Sequence, residues 1–536
     1  MKSLMSEGTK CLLASPKFSD YHFLNYSEVC DFVGAKYPVS PLGLMTVAAL
    51  LPQKWQFKLI DENVEALKNE HFEWADLICT GGMLSQQARV HAIIDKAHEY
   101  NRPVAVGGPD PTSQPHLYQS ADFLVLGEGE ITIPLFLQDL EKGCRSGQYQ
   151  SPQRADLNNS VIPRFDLIRF KDYGQIAVQF SRGCPFNCEI CDVSAFFGKK
   201  FQMKGSDQII KELQALYDLD FRGSIFLGDD NFTANKNSAK QILPAIREWS
   251  KAHNYPFYFG SQCSIDLADD EELLEMLRDI DFRWVVIGIE TPEDEVLRSI
   301  KKKQNLKRQI QQTFNKFLSY GMIVHVTLIL GFDNETDQTA DKMIKAIDDS
   351  GAPVNYIGLL EALPNTQFAK RLEREGRLLE KSLIQKNPVF DKMTSGLNFI
   401  TKRSKTDILE DYIRVIRVVY HPKNYYKRST YMAMNLKPAY KYMPSAREIL
   451  KMVRTSLRVC LVVGFDKLTG VLFWKMLFVL LVNNPKGILI ALEFAAYYIH
   501  FYRQSNFLIK FTKRRVEEAK LYEKKQNPLR VGDAYH

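Results

Sequence analysis

A chain of 536 residues is too long for one ordinary domain and suggests about three. Its composition, 45% hydrophobic and 25% charged, excludes a disordered or collagen-like polymer. The net charge of +7 conceals an asymmetry: residues 401–536 hold 26 Lys and Arg against 10 Asp and Glu, residues 1–400 hold 44 against 53.

Nine cysteines in no even framework, behind an N-terminal MKSLMSEGTK without an apolar run, point to a reducing cytoplasm, where clustered thiols bind metal more often than they pair. The isolated ones, Cys11, Cys30, Cys79, Cys144, Cys263 and Cys460, read as small buried apolar residues. Residues 1–150 alternate short apolar runs (KCLLAS, FKLIDEN, ADLICTGGM, RPVAVGGPDPT, ADFLVLGEGE) with helical stretches such as SPLGLMTVAALLP. Runs that end in Gly, Pro or Asp and precede helical periodicity predict parallel strands with crossover helices, hence a doubly wound α/β domain with its ligand at the strand ends. The paired glycines at three of those ends, Gly81-Gly82, Gly107-Gly108 and Gly127-Glu128-Gly129, either turn the chain or let a large ligand approach the backbone.

Residues 151–168 are polar with two prolines and read as a linker. From 169 to 395 a second alternation runs through QIAVQF, GSIFLGDD, FYFGSQCS, RWVVIGIE, IVHVTLILGF and NYIGLLEALP. Six strand–helix units with right-handed crossovers curl into a partial barrel whose polar strand ends form the catalytic rim. Directly after its first strand stand Cys184, Cys188 and Cys191, spaced C-x3-C-x2-C. Three thiolates this close suit an iron–sulfur cluster or zinc, and a closed zinc site would need a fourth ligand that no usual spacing supplies.

The cysteine motif in that barrel context resembles the radical S-adenosylmethionine enzymes, although Ile190 stands where many relatives carry an aromatic. The resemblance implies that Cys184, Cys188 and Cys191 hold a 4Fe-4S cluster whose fourth iron chelates S-adenosylmethionine, and that an electron donor such as a flavodoxin or ferredoxin reduces it. Asp229, Asp230 and Asn231 in FLGDDNF then hold the amino group, with an N-cap or Asx-turn as their plain alternative. Glu290 takes the ribose position, and Leu328 and Gly331 of LILGF lie along the adenine, although strand-end geometry alone also accounts for Gly331.

With that barrel behind it, the first domain resembles the cobalamin-binding domain of the corresponding subfamily. The resemblance places cobalamin against Asp61 and Glu62, Thr80, Gly81, Gly82 and Met83, Gly107, Gly108 and Thr112, and Gly127, Glu128 and Gly129. No GxGxxG follows the first strand, which weakens a nicotinamide reading. SDYHFLN imitates the cobalt-ligating D-x-H-x-x-G loop with its glycine lost, so His22 is either a lower cobalt ligand or an ordinary loop histidine.

Residues 396–536 predict a basic, mostly α-helical domain. Its apolar runs VLFWKMLFVLLV and GILIALEFAAYYIHFY are broken by NNPK, so neither reaches a membrane span of about 20 residues. They read equally as core helices of a cap and as a face for anionic membrane or an apolar substrate, peripheral to the inner membrane face. Nucleic acid is not expected, since no binding fold accompanies the charge. YHPKNYYKR and the later NP resemble the extension on hopanoid C-2 methylases and on relatives of unassigned role.

The combination implies radical methylation of an unactivated carbon of a hydrophobic or lipid substrate, one S-adenosylmethionine supplying methyl to cobalamin and another the radical. Two other readings stand beside it: the same cofactors driving cyclisation or rearrangement without methyl transfer, and a non-catalytic lipid- or partner-binding protein on the same fold.

Overall fold

The computed structural model describes residues 4–22, 25–379 and 394–526. The strands in chain order are β1 (Lys10–Ser15), β2 (Tyr37–Val39), β3 (Gln56–Asp61), β4 (Leu77–Gly81), β5 (Val104–Gly107), β6 (Phe123–Val125), β7 (Gly147–Tyr149) and β8 (Tyr173–Val178). They continue as β9 (Ser181–Arg182), β10 (Gln202–Met203), β11 (Gly223–Leu227), β12 (Phe257–Cys263), β13 (Phe282–Glu290), β14 (Ile323–Leu330) and β15 (Asn355–Leu359).

The first sheet runs β3-β1-β4-β5-β6-β7, parallel throughout. This is the doubly wound order, in which ligands settle at the carboxyl ends where the strand order reverses. Both faces are covered, which is why its strands are near-continuous apolar runs. One face closes a core of its own around Leu12, Ile78, Val90 and Val104, while Leu13, Cys79 and Ala105 on the other join the core shared with the rest of the molecule.

The second sheet runs β15-β14-β13-β12-β11-β8-β2, again parallel. Six of these strands are the expected barrel units. The seventh, β2, comes from inside the stretch read as the first domain and pairs with β8 through Tyr37 opposite Tyr173 and Val39 opposite Gln175. Pro38 can sit there because an edge strand need not donate on both sides. Ser40 Oγ then accepts Ala177 N at 2.9 Å, so the first 150 residues are stitched into the barrel before their own sheet is complete.

Burial along the barrel strands shows why the sheet encloses a site. In β13 and β14 the outward residues Val285, Ile287, Val324 and Val326 are buried against helices, whereas the inward Trp284, Val286, His325 and Thr327 are only half-buried. A closed eight-stranded barrel fills its interior with such side chains. Here the curled sheet stays open, and the inward residues line a cavity of about 2450 Å³.

The C-terminal region is helical: Lys405–Val419, Pro422–Asn435, Ala446–Gly464, Gly470–Asn483 and Ile488–Gln526. Asn483 to Lys486 does break the apolar runs, but the second run continues into a helix of 39 residues. The aromatic-basic stretch from Lys423 is a packed helix rather than a charged surface. Tyr425 and Tyr426 are buried, and Arg428, 1% exposed, donates to Ala352 O at 3.0 Å and pairs with Asp348 at 2.9 Å. Among the described residues no helix is long and apolar enough to cross a membrane. The expected border at 395/396 adjoins residues 380–393, which lie outside the described residues. Of the isolated cysteines, Cys11, Cys30, Cys79 and Cys263 are buried and Cys460 partly so. Cys144 is exposed, on the turn after Gly143 where no core reaches it, and corrects the uniform expectation.

Candidate active site

The cysteine loop leaves β8 and is pinned at its start. Asp229, 1% exposed after β11, accepts Phe180 N at 2.8 Å and Ser181 Oγ at 2.6 Å. Burial pushes its carboxyl up to about 6. Both oxygens are thus committed to the loop, and Asp229 does not line the chamber, whereas Asp230 and Asn231 do. Asp230 accepts Gly183 N at 2.9 Å. The expectation that all three would hold the amino group is corrected for Asp229, whose role here is support.

Cys184, Cys188 and Cys191 all line the chamber and are partly exposed to it. Asn231 Nδ2 donates to Cys184 Sγ and Gln304 Nε2 to Cys188 Sγ, each at 3.8 Å. Burial pushes the Cys191 thiol up to about 12 and raises Cys184, so thiolate there needs a cation to hold it. No group of three His, Cys, Asp or Glu among the described residues is gathered as for one metal ion. A four-iron cluster makes a different demand, with its three thiolates on three separate irons, and the residues present fit it.

Glu290 ends β13 in the left-handed region at φ 65°, where the register with β14 shifts. Side chains other than glycine rarely adopt that conformation, and strain of this kind concentrates at functional sites. Glu290 Oε1 accepts Lys302 Nζ. Burial opposes the charge of Lys302, but Glu290 and Cys188 outweigh it and raise the ammonium. A Cβ on Gly288 would stand 2.6 Å from Glu290 Oε1 and 2.8 Å from Lys302 Nζ, so this glycine leaves room for the pair. Leu328 lines the chamber. Gly331 does not: its φ of +111° and its N–H to Glu335 at 2.9 Å turn the chain away, and a Cβ would meet Leu397 at 2.5 Å. Its expected contact with adenine is replaced by a turn.

On the opposite wall stand Asp61, Thr80, Gly81, Gly82, Met83, Gly107, Gly108, Thr112, Gly127, Glu128 and Gly129. Asp61 accepts Asn63 N at 3.0 Å and Tyr173 Oη at 3.1 Å. Glu62 turns away from the chamber into a bidentate pair with Arg89 at 2.5 and 2.6 Å, which corrects its expected cofactor contact. The glycines have two distinct causes. A Cβ on Gly81 would lie 2.0 Å from Gly107 O, so strand crowding alone requires that glycine, whereas at Gly127, φ +84°, a Cβ would meet nothing within 4 Å. The second kind is required by its left-handed backbone, and it leaves open space on the chamber side. His22 is buried at the chamber edge with its ring 4.6 Å from Phe18. Asp20 pairs instead with Lys17 at 2.7 Å on the surface, so the imitated loop lacks its Asp support.

Sequence reasoning missed the pins between the two walls. Arg182, adjacent to the cysteine motif, forks onto Glu130 at 2.7 and 3.1 Å and reaches Glu128 at 3.5 Å. Arg154 also pairs with Glu128, and Ala155 N donates to it at 2.8 Å. Glu128, expected at the cofactor, is therefore a clasp between the first domain and the cysteine loop. Adjacency could have signalled Arg182; nothing in the spacing marks Lys302 or Gln304. Also unforeseen is an aromatic part of the chamber, lined by Tyr258, Trp284, His325, Tyr440 and Tyr497 together with Glu493. Burial raises the Glu493 carboxyl above the usual carboxylate range and pushes His325 down to about 4, so the imidazole is neutral at pH 7.

The chain matches the Radical SAM superfamily over residues 178–347, the B12 binding domain over 31–137 and a domain of unknown function over 366–511. It is 37% identical over 483 residues to an uncharacterized methyltransferase of Synechocystis, covering 89% of this chain and 88% of that one. The chain belongs to the cobalamin-dependent radical S-adenosylmethionine methyltransferases. It is 33% identical over 372 residues to the hopanoid C-2 methylase of Rhodopseudomonas palustris, spanning 69% of this chain and 70% of that methylase. Among solved structures, the cobalamin-dependent radical enzyme OxsB aligns with a TM-score of 0.57 at 14% identity over 96% of this chain and 80% of its own. The methyltransferase TsrM of Kitasatospora setae aligns with 0.55 at 15% identity over 69% and 75%. Both share the fold. Like other members of its family, this methyltransferase works with a 4Fe-4S cluster, S-adenosylmethionine and cobalamin.

Proposed function

We propose that the chain methylates an unactivated carbon of an apolar small molecule held between the cysteine loop and the strand ends of the first domain. The observation that carries this reading is one continuous chamber. It joins the three cysteines, the open glycine wall and the aromatic part. When bound, the reduced cluster with S-adenosylmethionine supplies a radical that removes hydrogen, and cobalamin supplies the methyl group.

In this reading Cys184, Cys188 and Cys191 hold the cluster, with Asn231 and Gln304 steadying two of the sulfurs. Asp230 receives the amino group of S-adenosylmethionine, a carboxylate being a fit partner for an ammonium. Glu290, fixed by Lys302, receives ribose hydroxyls, and Leu328 covers the base. Thr80, Gly82, Gly108, Thr112 and Gly127 cradle cobalamin, and the clasp of Arg182 on Glu128 and Glu130 sets the two walls at a fixed separation. The aromatic part contacts an apolar body through Trp284 and the tyrosines, while the Glu493 carboxyl offers hydrogen-bond partners to a polar end. Likeness to a hopanoid methylase supports an apolar substrate. An electron donor of the flavodoxin or ferredoxin kind completes the system.

The test is incubation with methyl-labelled S-adenosylmethionine and mass spectrometry of the product. Label in the product is expected, with none from Cys184→Ala. Product without label would replace methylation by rearrangement.

A further inference from the structure

The exposed apolar side chains of this protein are not scattered. Of the twenty-eight large ones among the described residues, sixteen fall between 443 and 489. Twelve of the sixteen lie on the two helices of a hairpin, Ala446–Gly464 followed by Gly470–Asn483, and two more, Phe465 and Leu468, on the turn between them. On the first helix Ile449, Val453, Leu457 and Leu461 recur every four residues and form one exposed row. Val471, Trp474, Phe478 and Leu481 continue it on the second, with Val471 83% and Phe478 68% exposed. Phe465, 77% exposed, lies at the turn between them. A contiguous patch of this kind on an otherwise packed protein marks a surface that meets something apolar.

Charge identifies what it meets. Residues 446–487 carry seven Lys and Arg against two acids. Both acids are tied locally: Glu448 accepts Ser445 N at 2.7 Å, and Asp466 accepts Leu468 N and Thr469 N at 3.0 and 2.9 Å. Arg447, Lys451, Arg454 and Arg458 follow the helical repeat beside the apolar row. An apolar face edged by cations is the pattern of a helix lying in the plane of an anionic bilayer. Neither helix is long and apolar enough to cross one. The third side of the first helix returns to the protein. Met452, Thr455, Ser456 and Val459 line the chamber, and Thr455 Oγ1 donates to Phe32 O at 2.8 Å. Met452 and Val33, across from it, are 41% and 38% exposed, so the chamber opens beside the apolar row.

We propose that the Ala446–Asn483 hairpin docks on the surface of an anionic lipid bilayer and holds this opening of the chamber against the lipid. The docking stands on the surface itself; only the idea that substrate enters there rests on the apolar-substrate reading above. Full-length protein is sedimented with vesicles of equimolar phosphatidylcholine and phosphatidylglycerol, and with vesicles of phosphatidylcholine alone. Binding to the anionic vesicles is expected, stronger than to the neutral ones and weakened by salt. Val471→Ser with Phe478→Ser should lower it about tenfold or more, since each removes a side chain that the lipid would bury. Arg454→Glu with Lys475→Glu should abolish the preference for anionic vesicles. Both pairs lie on exposed positions, and circular dichroism checks that the fold is kept. Cys184→Ala should bind vesicles like the unmodified chain, which separates a failure of docking from a failure of the methylation reading. No sedimentation with either vesicle, or equal binding to both, overturns the proposal. So does a dimer in light scattering that Val471→Ser with Phe478→Ser makes monomeric without any vesicle binding, which would assign the face to a second copy of the chain.

Discussion

Gln304 and Asn231 each spend an amide N–H on a cysteine sulfur, at 3.8 Å. A hydrogen bond to a cluster thiolate draws negative charge away from the metal and makes reduction easier. With Cys188 as an iron ligand, Gln304→Leu should therefore leave iron and sulfide content unchanged and lower the cluster's reduction potential. A hydrogen bond of about 1 kcal/mol corresponds to about 40 mV for one electron. Redox titration followed by electron paramagnetic resonance measures it, and an unchanged potential would show that the amide does not act on the cluster. The cysteine spacing announced this chemistry from the sequence because three ligands within eight residues form a local pattern. Gln304 carries no such mark, being 116 residues from Cys188 and brought there only by the curl of the sheet.

The helix Ser27–Val33 is the element that ties the N-terminal region to the C-terminal one. Its Glu28 pairs with His500 at 3.1 Å and Arg503 at 3.3 Å on the 39-residue helix. Burial would raise the Glu28 carboxyl, but His500 and Arg503 outweigh it and bring it down to about 2. The unfolded chain then holds the proton more tightly than the folded one. The tether's stabilisation is complete above about 4.5 and is lost as pH falls toward 2. After discounting for partial exposure, Glu28→Gln should cost about 2 kcal/mol at neutral pH. Urea unfolding of both chains near pH 7 and near pH 3 should show the difference narrowing at the lower pH. A difference that does not change with pH would mean that the pair contributes by packing alone. Periodicity predicted helices in the C-terminal region but named none at Ser27–Val33, and it could not pair the two, since it reports which face is apolar and not what covers it.

Across the whole molecule, the two walls of the chamber are joined by the pairing of Arg182 with Glu130 and Glu128, at 13%, 12% and 7% side-chain exposure. Removing one partner from such a buried group costs about 3 kcal/mol, because the remaining charges are left without compensation. Arg182→Met should keep a full cluster, bind cobalamin more weakly and unfold in two calorimetric steps, the first domain parting earlier. A single transition at the original temperature would show that β2 and the shared core couple the walls without the clasp.

The sequence by itself determined the two parallel α/β units and the cysteine loop, because apolar periodicity, strand-end glycines and close ligand spacing are local properties of the chain. It also marked the C-terminal quarter as basic and helical. Only the tertiary structure decided that Asp229 and Glu62 support the walls while Asp230 and Asp61 face the chamber. The same holds for the donation of β2 to the barrel, and for the apolar row that ends on the surface while Tyr425 and Arg428 are buried. Each of these depends on which partner a side chain meets across a long stretch of chain, and composition and periodicity carry no record of that.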